Sequence, residues 1–301
     1  MKKKIHFAAA LLILLFSFKT NAQETEDLLS LVDSGSTTKT FIKSAFKSTR
    51  VINGHSMEFL SPGTMDFRIL HRFGQLDQGY KNFFGLDQAS MRMGFDFGLY
   101  RNLMIGVGRS TFKKELDGYF KYAPVMQSTG DNSFPMTIAI AAGITMNTSP
   151  WADPTINNYF SSRLAYYYQL ILGRKFSERF TLQLTPTMVH TNLVAIHTQP
   201  NDVFALGAGT RLKLTKRIAL TCDYFYLFNG IEQAVNYNPL SVGVDIETGG
   251  HVFQLHFSNA TGMNERAFIN ETTTRWGKGE IRFGFNLSRV FQLKKKAKRD
   301  S

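Results

Sequence analysis

Large apolar and small or polar side chains alternate with a period of two along several stretches of the chain. The clearest stretch runs from Ser90 to Tyr100, where Met and Phe side chains share one face and Arg92 and Asp96 lie on the other. Similar alternation recurs over residues 65–73, 204–214, 218–228 and 280–287. Because successive side chains of a β-strand point to opposite faces, the pattern predicts strands rather than helices.

The residue types on the two faces indicate a membrane barrel. The apolar face is large and aromatic, whereas the opposite face consists of Gly, Ala, Ser and charged residues. A transmembrane β-barrel turns its apolar side chains toward lipid and its polar ones inward, and small residues suit a crowded lumen. The sequence therefore predicts an all-β, transmembrane antiparallel β-barrel. A soluble secreted barrel or sandwich is the alternative.

About twelve strands are predicted, with 10 or 14 as alternatives, over residues 64–73, 90–100, 103–112, 117–126, 134–146, 160–176, 180–191, 203–215, 218–228, 239–248, 251–258 and 279–291. Short and long connections alternate through most of the chain, as periplasmic turns and extracellular loops do in such barrels. An even count places both termini on the periplasmic side. Counting residues 50–60 as a further strand would break this parity, so we expect that segment to be a periplasmic or plugging extension.

The N-terminus has the features of a secretory signal. Lys2, Lys3 and Lys4 precede an apolar stretch over residues 7–18, and a small-residue cleavage site ends at Ala22. An N-terminal membrane anchor is the alternative. We expect a signal peptide over residues 1–22, a periplasmic N-terminal extension over 23–62, an outer-membrane barrel over 63–292 and a basic periplasmic tail over 293–301.

Composition and charge narrow the function classes. The 301 residues are 43% hydrophobic and include 27 Phe, which excludes a disordered chain. A single cysteine excludes a disulfide framework. Of the net charge of +12, the predicted signal and the basic tail carry +4 each, so the remaining chain carries about +4. The high pI therefore gives no support to nucleic-acid binding.

Short motifs spread over the mature chain resemble one protein family. They are His71–Gly74, Gly85–Asp87, Gly106–Ser110, Asp117–Gly118, Arg174–Phe176, Pro186–His190, Lys213–Arg217, Ile246–Leu255 and Gly284–Asn286. In these motifs the chain resembles an uncharacterised domain-of-unknown-function family of bacterial outer-membrane β-barrel proteins. The resemblance implies a fold and an outer-membrane location, and it implies no catalytic or binding residues. The chain differs from many outer-membrane barrels in continuing beyond Phe291 into a basic tail.

The sequence gives little support to a hydrolase site or to a metal site. A hydrolase would need a nucleophile such as Ser110, a base such as His190 and an orienting acid close in space, and no nucleophile motif surrounds any serine. His251 and His256 are five residues apart, so on a strand they face opposite sides and cannot share a metal ion. We predict a non-enzymatic protein with no metal and no cofactor; a membrane-embedded lipid or peptide hydrolase is the alternative.

Four glycines have a spacing that resembles a phosphate-binding loop. They are Gly106, Gly108, Gly207 and Gly209, at alternate positions of predicted strands with no helix after them. We therefore expect these glycines to leave room for neighbouring side chains.

Charged residues predicted to face inward are the candidate functional residues: Asp66, Arg68, Arg72, Arg92, Asp96, Arg163, Arg211, Lys213, Asp223, Asp245, Glu247 and Arg282. They are compatible with a narrow pore for small polar solutes, in which the slight basic excess would favour anions weakly. The other interpretation is a structural barrel whose narrow lumen is filled by paired Arg and Asp side chains. The expected partners are outer-membrane lipid and small polar solutes; the sequence indicates no nucleic acid and no protein partner.

Overall fold

The structure, a computed structural model, describes residues 38–151, 153–194, 198–230 and 236–293. The predicted signal peptide, the first part of the extension and nearly all of the basic tail lie outside these residues. Within the described ranges, no helix has the length and hydropathy needed to cross a membrane.

Twelve antiparallel strands form a closed barrel, in which each strand pairs with its neighbours in the chain and the last strand pairs with the first. We number them β1 (Thr64–Gln75), β2 (Ala89–Tyr100), β3 (Leu103–Ser110), β4 (Leu116–Val125), β5 (Thr137–Met146), β6 (Leu164–Lys175), β7 (Phe180–Thr191), β8 (Asp202–Lys213), β9 (Ile218–Leu227), β10 (Leu240–Thr248), β11 (His251–Ser258) and β12 (Arg282–Gln292). The predicted all-β barrel and its strand count are confirmed.

Most predicted strand ends agree with the structure within two residues. The exceptions are the first residues of β5, β6 and β12, which lie three or four residues later than predicted. Before β6 the chain forms a 3₁₀ turn, Phe160–Arg163, and before β12 it forms another, Trp276–Lys278. The turn Phe160–Arg163 covers the four residues by which the predicted β6 begins too early, whereas Trp276–Lys278 ends one residue before the predicted start of β12.

Side chains alternate between the two faces of the barrel wall as predicted. In β2, Met93, Phe95 and Leu99 are 41–44% exposed, whereas Arg92 and Asp96 are buried. Every strand repeats this arrangement, which follows from the two-residue period of the backbone. An apolar outer face around an interior with charged groups is the arrangement of a transmembrane barrel.

The two ends of the barrel have connections of different length. At the short-turn end, two to four residues join β2 to β3, β6 to β7, β8 to β9, and β10 to β11. At the opposite, long-loop end the connections reach 23 residues between β11 and β12. The alternation of short and long connections fails on either side of β4. The β3–β4 connection at the long-loop end has only five residues, whereas the β4–β5 connection at the short-turn end has eleven. The eleven-residue link is longer because its Ser128–Thr129 pairs with Thr40–Phe41, upstream of the barrel.

From this pairing the chain enters the barrel interior. Residues 45–60, which we call the lumen hairpin, are almost entirely buried and pair with no barrel strand. Its turn is Val51–Gly54, where the Val51 N–H donates to the Gly54 carbonyl at 2.9 Å. The Ser56 N–H donates to the Thr49 carbonyl at 2.9 Å, and Arg50 and His55 form an antiparallel bridge. The segment therefore fills part of the lumen.

A second segment fills the lumen from the long-loop end. Residues 260–274 of the β11–β12 connection, which we call the lumen loop, contain helix α1 (Glu265–Asn270). The Asn264 side chain caps this helix by accepting the Ala267 N–H at 2.9 Å. Phe268 and Ile269 of α1 are fully buried and pack in one apolar cluster with side chains of β7, β8 and β9. The lumen is thus occupied from both ends.

Candidate functional site

The structure places the twelve predicted charged residues in three locations. Nine are buried within the barrel and at most 8% exposed: Asp66, Arg68, Arg72, Arg92, Asp96, Arg211, Asp223, Asp245 and Arg282. Lys213 and Glu247 are half-buried at the short-turn end. Arg163 lies instead at the long-loop end, in the 3₁₀ turn before β6. The nine buried residues therefore surround the two segments that fill the lumen.

The inner wall differs between its two sides. Charged side chains are concentrated on β1–β4 and β10–β12, whereas β5–β9 contribute mostly small or apolar side chains, with Arg211 and Asp223 as the charged exceptions. On the uncharged side, Ala139, Ala141 and Ile171 pack with Phe46 and Val51 of the lumen hairpin. This apolar contact differs from the uniformly polar lumen that the strand pattern predicts, because the lumen hairpin itself supplies apolar side chains.

Some wall charges pair with one another, within one strand or between strands. Arg68 lies 2.6 Å from Asp66 and 3.7 Å from Asp96. Arg92 forms a two-point pair with Asp117, a residue absent from the predicted set. One of the two interpretations of the sequence expects Arg and Asp on successive strands to pair, and only Arg68 with Asp96 does so among these pairs.

Arg72 of β1 binds both segments in the lumen. Its Nη1 donates to the carbonyls of Ala260 and Gly262 in the lumen loop, each at 2.9 Å. Its Nη2 donates to the Asn53 side-chain oxygen in the lumen hairpin. One guanidinium group therefore fixes the two segments relative to the wall, which suits its planar set of several donors.

Asp223 of β9 holds the turn of the lumen hairpin. Its Oδ2 accepts the backbone N–H groups of Ile52, Asn53 and Gly54 at 3.2, 2.6 and 3.2 Å. Successive N–H groups of a turn converge on one point and form an anion-binding concavity. The buried carboxylate thus acts as a binding group for the hairpin backbone rather than as part of a pore lining.

Uncharged and cationic side chains complete the attachment of the lumen hairpin. Gln183 accepts the Met57 N–H at 2.9 Å and donates to the His55 carbonyl at 2.7 Å. Lys121 donates to the carbonyls of Ser56 and Glu58 at 3.1 and 2.6 Å. Gln254 and Asn286 donate in the same way to hairpin carbonyls. Strands on all sides of the barrel therefore hold this segment through side chains.

The lumen hairpin and the lumen loop meet at three residues, Arg50, His55 and Glu265, which we call the junction. Arg50 Nη1 lies 2.8 Å from Glu265 Oε1 and also donates to the Asn53 carbonyl at 2.6 Å. His55 Nε2 lies 3.3 Å from the same carboxylate oxygen and 3.0 Å from Tyr167 Oη. All three junction side chains are at most 3% exposed.

The environment sets the charge of each junction group. Burial, together with the charges of Arg50 and Lys121, holds the pKa of His55 well below its ordinary value, so its imidazole is neutral. Burial alone would lower the pKa of Arg50, but the Glu265 carboxylate together with Tyr119 and Tyr167 outweighs burial and raises that pKa. The junction is therefore a desolvated ion pair with a neutral imidazole beside it.

Sequence reasoning missed the junction. Arg50 and Glu265 lie 215 residues apart in the chain, and neither belongs to a strand whose alternation would place it inward. The amide side chains Gln183, Gln254 and Asn286 do lie at inward positions of strands. Inward-facing amides are therefore a sequence signal that the wall binds backbone groups inside the lumen, in addition to the expectation that residues 50–60 plug it.

The residues of the hydrolase alternative are placed apart. Ser110 of β3 is buried, and its Oγ accepts the Phe112 N–H at 3.1 Å. His190 of β7 lies 2.7 Å from Asp202, and its pairing position on the strand points away from the lumen. Across the described ranges, His190 and Ser110 make no contact. His256 faces inward and accepts from Arg72, while His251 faces outward on the same strand.

The sequence matches one known protein family. Residues 46–291 match a family described as a membrane bound beta barrel domain, DUF5777. The chain belongs to this family. The DUF5777 match begins at Phe46, so it includes the lumen hairpin as well as the barrel wall. The barrel is thus a membrane barrel, and its exposed apolar face is the lipid-facing surface.

Several solved barrels are similar in fold at low sequence identity. A NanC porin is 8% identical with a TM-score of 0.44, over 75% of this chain and 98% of the porin. The translocator domain of the autotransporter NalP from Neisseria meningitidis is 13% identical with a TM-score of 0.32, over 75% and 86%. The CymD monoaromatic hydrocarbon channel is 8% identical with a TM-score of 0.28, over 68% and 51%. No curated protein matches the chain.

Proposed function

We propose that this protein is a non-enzymatic outer-membrane barrel that passes small polar solutes only when its lumen hairpin leaves the barrel interior. The junction is the observation that carries the proposal: Arg50 and Glu265 join the two lumen segments through a 2.8 Å ion pair that is fully desolvated. While this pair is intact, the lumen hairpin and the lumen loop stay joined inside the barrel, and on this proposal they block the path of a solute. The ground state is therefore closed.

The lumen hairpin is the part suited to move. It has no backbone ladder with the wall, which is a continuous ring of paired strands. Side chains hold it instead, and not all of their donors are satisfied: Arg68 Nε and Nη1 are buried without a partner among the described residues. A buried unsatisfied donor costs about 1–3 kcal/mol. Water entering an open lumen would hydrate such groups, which lowers the cost of opening.

Planar-bilayer conductance of the purified, folded protein tests the proposal. Glu265→Gln leaves the Arg50 charge buried without its carboxylate, and removing one partner of such a pair costs about 3–5 kcal/mol. We expect the open probability of Glu265→Gln to exceed that of the wild type by about a hundredfold or more. The wild type should show rare openings only.

Two variants make this result specific. Lys47 of the same hairpin forms a partly exposed ion pair with Glu247, with Nζ 2.7 Å from Oε2, and Glu247→Gln removes this partner. Exposed pairs contribute about 0–1 kcal/mol, so this variant should conduct like the wild type. The double variant Arg50→Leu with Glu265→Met replaces the buried pair by apolar groups and should stay closed.

A permanently closed, structural barrel is the competing function. It predicts that Glu265→Gln, with a folded barrel verified by heat-dependent migration in SDS gels, conducts no more than the wild type. That result would reject the gated pore. Conduction by the double variant at the level of Glu265→Gln would instead show that the ion pair is not what keeps the lumen closed.

A further inference from the structure

A cavity of about 530 Å³ lies at the long-loop end, outside the junction. Helix α1 and the residues after it form one wall through Arg266, Asn270 and Glu271. The β5–β6 and β7–β8 connections form the others, with Trp151 and Arg163 on one side and Pro200 on another. This volume lies in the range of small-molecule binding sites, which is about 300–1,000 Å³.

Arg163 is the distinctive group of this cavity. Its Nη1 donates to the carbonyls of Asn147 and Ser149 at 2.8 and 2.7 Å. Its guanidinium carbon lies 3.8 Å from the centre of the Trp151 ring, a cation–π contact. Neutral groups thus fix the guanidinium in one orientation without compensating its charge. Across the described ranges, no carboxylate lies within ion-pair distance of Arg163, and its Nε and Nη2 donors are not used.

The other charged residues at the cavity compensate one another. Lys113 lies 2.6 Å from Glu271, and Arg266 lies 2.6 Å from the same carboxylate. Arg266 also pairs with the buried Glu115. Among the described residues, these two cations and two carboxylates therefore cancel, and Arg163 remains as the uncompensated positive charge at the cavity. A fixed, planar guanidinium with free donors matches the oxygens of a carboxylate or phosphate.

The remaining surface of the cavity includes apolar groups. Leu164, Pro200 and Val203 line it together with the Trp151 ring. A ligand that fills this space needs an apolar body next to its charged group, because an inorganic anion would leave those surfaces uncovered. Shape and charge together therefore select small organic anions.

We propose that this cavity binds small organic anions, with Arg163 receiving the carboxylate or phosphate group and the apolar surfaces contacting the rest of the molecule. The proposal rests on the proposed function in one respect, since a solute captured here would be the one that enters the open barrel. The site adjoins the gate: Arg266 at the cavity and Glu265 at the junction are consecutive residues of α1.

Binding is measured on the full chain in lipid nanodiscs by isothermal titration calorimetry. Benzoate and phenyl phosphate are the anionic probes, and benzamide is the neutral counterpart of benzoate. We expect both anions to bind and benzamide to bind at least about tenfold more weakly, because it lacks the negative charge that strengthens a hydrogen bond from a guanidinium group. Equal affinity for benzoate and benzamide would overturn the proposal.

Substitutions place the binding in this cavity. Arg163→Gln should weaken benzoate binding by about tenfold or more. Arg163→Lys should weaken it less, because lysine keeps the positive charge but lacks the planar pair of donors of a guanidinium. Arg179→Gln, an exposed residue at the short-turn end, is the matched control and should bind like the wild type. Unchanged affinity in Arg163→Gln would overturn the proposal.

A spectroscopic signal gives a second readout. The chain contains two tryptophans, so Trp276→Phe leaves Trp151 as the single reporter. Saturation with phenyl phosphate should change Trp151 emission in this variant; no change would argue against the cavity. Binding and conductance are measured separately, so each proposal can fail alone. If anions bind but Glu265→Gln does not conduct, the gated pore is rejected and the anion site is retained. If Glu265→Gln conducts but no anion binds, the anion site is rejected and the gated pore is retained.

Discussion

At the scale of single residues, the inward-facing glycines explain how so much chain fits inside the wall. A Cβ atom on Gly207 would lie 2.5 Å from the Phe225 ring, and one on Gly209 would lie 2.9 Å from Val51 of the lumen hairpin. A Cβ on Gly106 or Gly108 would collide with Tyr119 or Arg92. The expectation that these glycines leave room for neighbouring side chains agrees with these distances. Gly209 also leaves room for the hairpin.

Gly209→Val should therefore displace the lumen hairpin without altering the pairing of β8. Overpacking of this kind costs about 1–3 kcal/mol. We expect faster hydrogen exchange at residues 49–56, measured by mass spectrometry, while strand amides stay protected. Gly118→Val is the control, because its nearest neighbour atom lies 3.8 Å from the new Cβ on the outer face. Equal hairpin protection in both variants would contradict the close packing at Gly209.

At the scale of elements, the lumen hairpin depends on side chains where an ordinary strand depends on a backbone ladder. The three N–H groups bound by Asp223 are the most concentrated of these contacts. Hydrogen bonds to a charged acceptor are stronger than those between neutral groups. A single carboxylate on β9 therefore stabilises the turn that brings Arg50 and His55 to the junction.

Asp223→Asn should weaken the turn while leaving the barrel closed on itself. An amide oxygen carries no charge and cannot serve three donors equally, so a loss of about 1–3 kcal/mol is expected locally. Hydrogen exchange at Ile52, Asn53 and Gly54 should accelerate by about tenfold or more. Asp202→Asn changes an exposed carboxylate at the long-loop end and should leave these three amides unaffected. Similar exchange in the two variants would count against the role of Asp223.

At the scale of the whole molecule, the difference between the two barrel ends predicts an orientation. Barrels of the outer membrane have short periplasmic turns and longer extracellular loops. The long-loop end with its cavity would then face the exterior, and the N-terminal segment would enter the lumen from the periplasm. A solute would meet the cavity first and the junction second.

Single-cysteine labelling of intact cells tests this orientation. In a Cys222→Ser background, Asp153→Cys places a thiol on an exposed long loop and Glu178→Cys places one on an exposed short turn. A membrane-impermeant maleimide should label Asp153→Cys in intact cells and label Glu178→Cys only after permeabilisation. The opposite pattern would mean that the barrel is inserted the other way round.

The sequence by itself determined the barrel class, the approximate strand count and the alternation of side chains within each strand, because all three follow from a local period of two residues. Most strand ends followed as well; the exceptions are the starts of β5, β6 and β12, and at β6 a 3₁₀ turn takes the place of the first predicted residues. The sequence also indicated that residues 50–60 are not a strand of the wall. It did not determine where Arg163 lies, since that residue belongs to a turn.

Only the tertiary structure decided what fills the lumen. Arg50, His55 and Glu265 lie in irregular segments, where no periodicity relates a residue to a direction, and they meet only after the wall has closed around them. In the sequence alone, the charges of Arg72 and Asp223 fit a pore lining. In the structure these two side chains bind backbone groups of the lumen loop and the lumen hairpin. A periodic wall is encoded locally, whereas the contacts within it depend on residues brought together from distant parts of the chain.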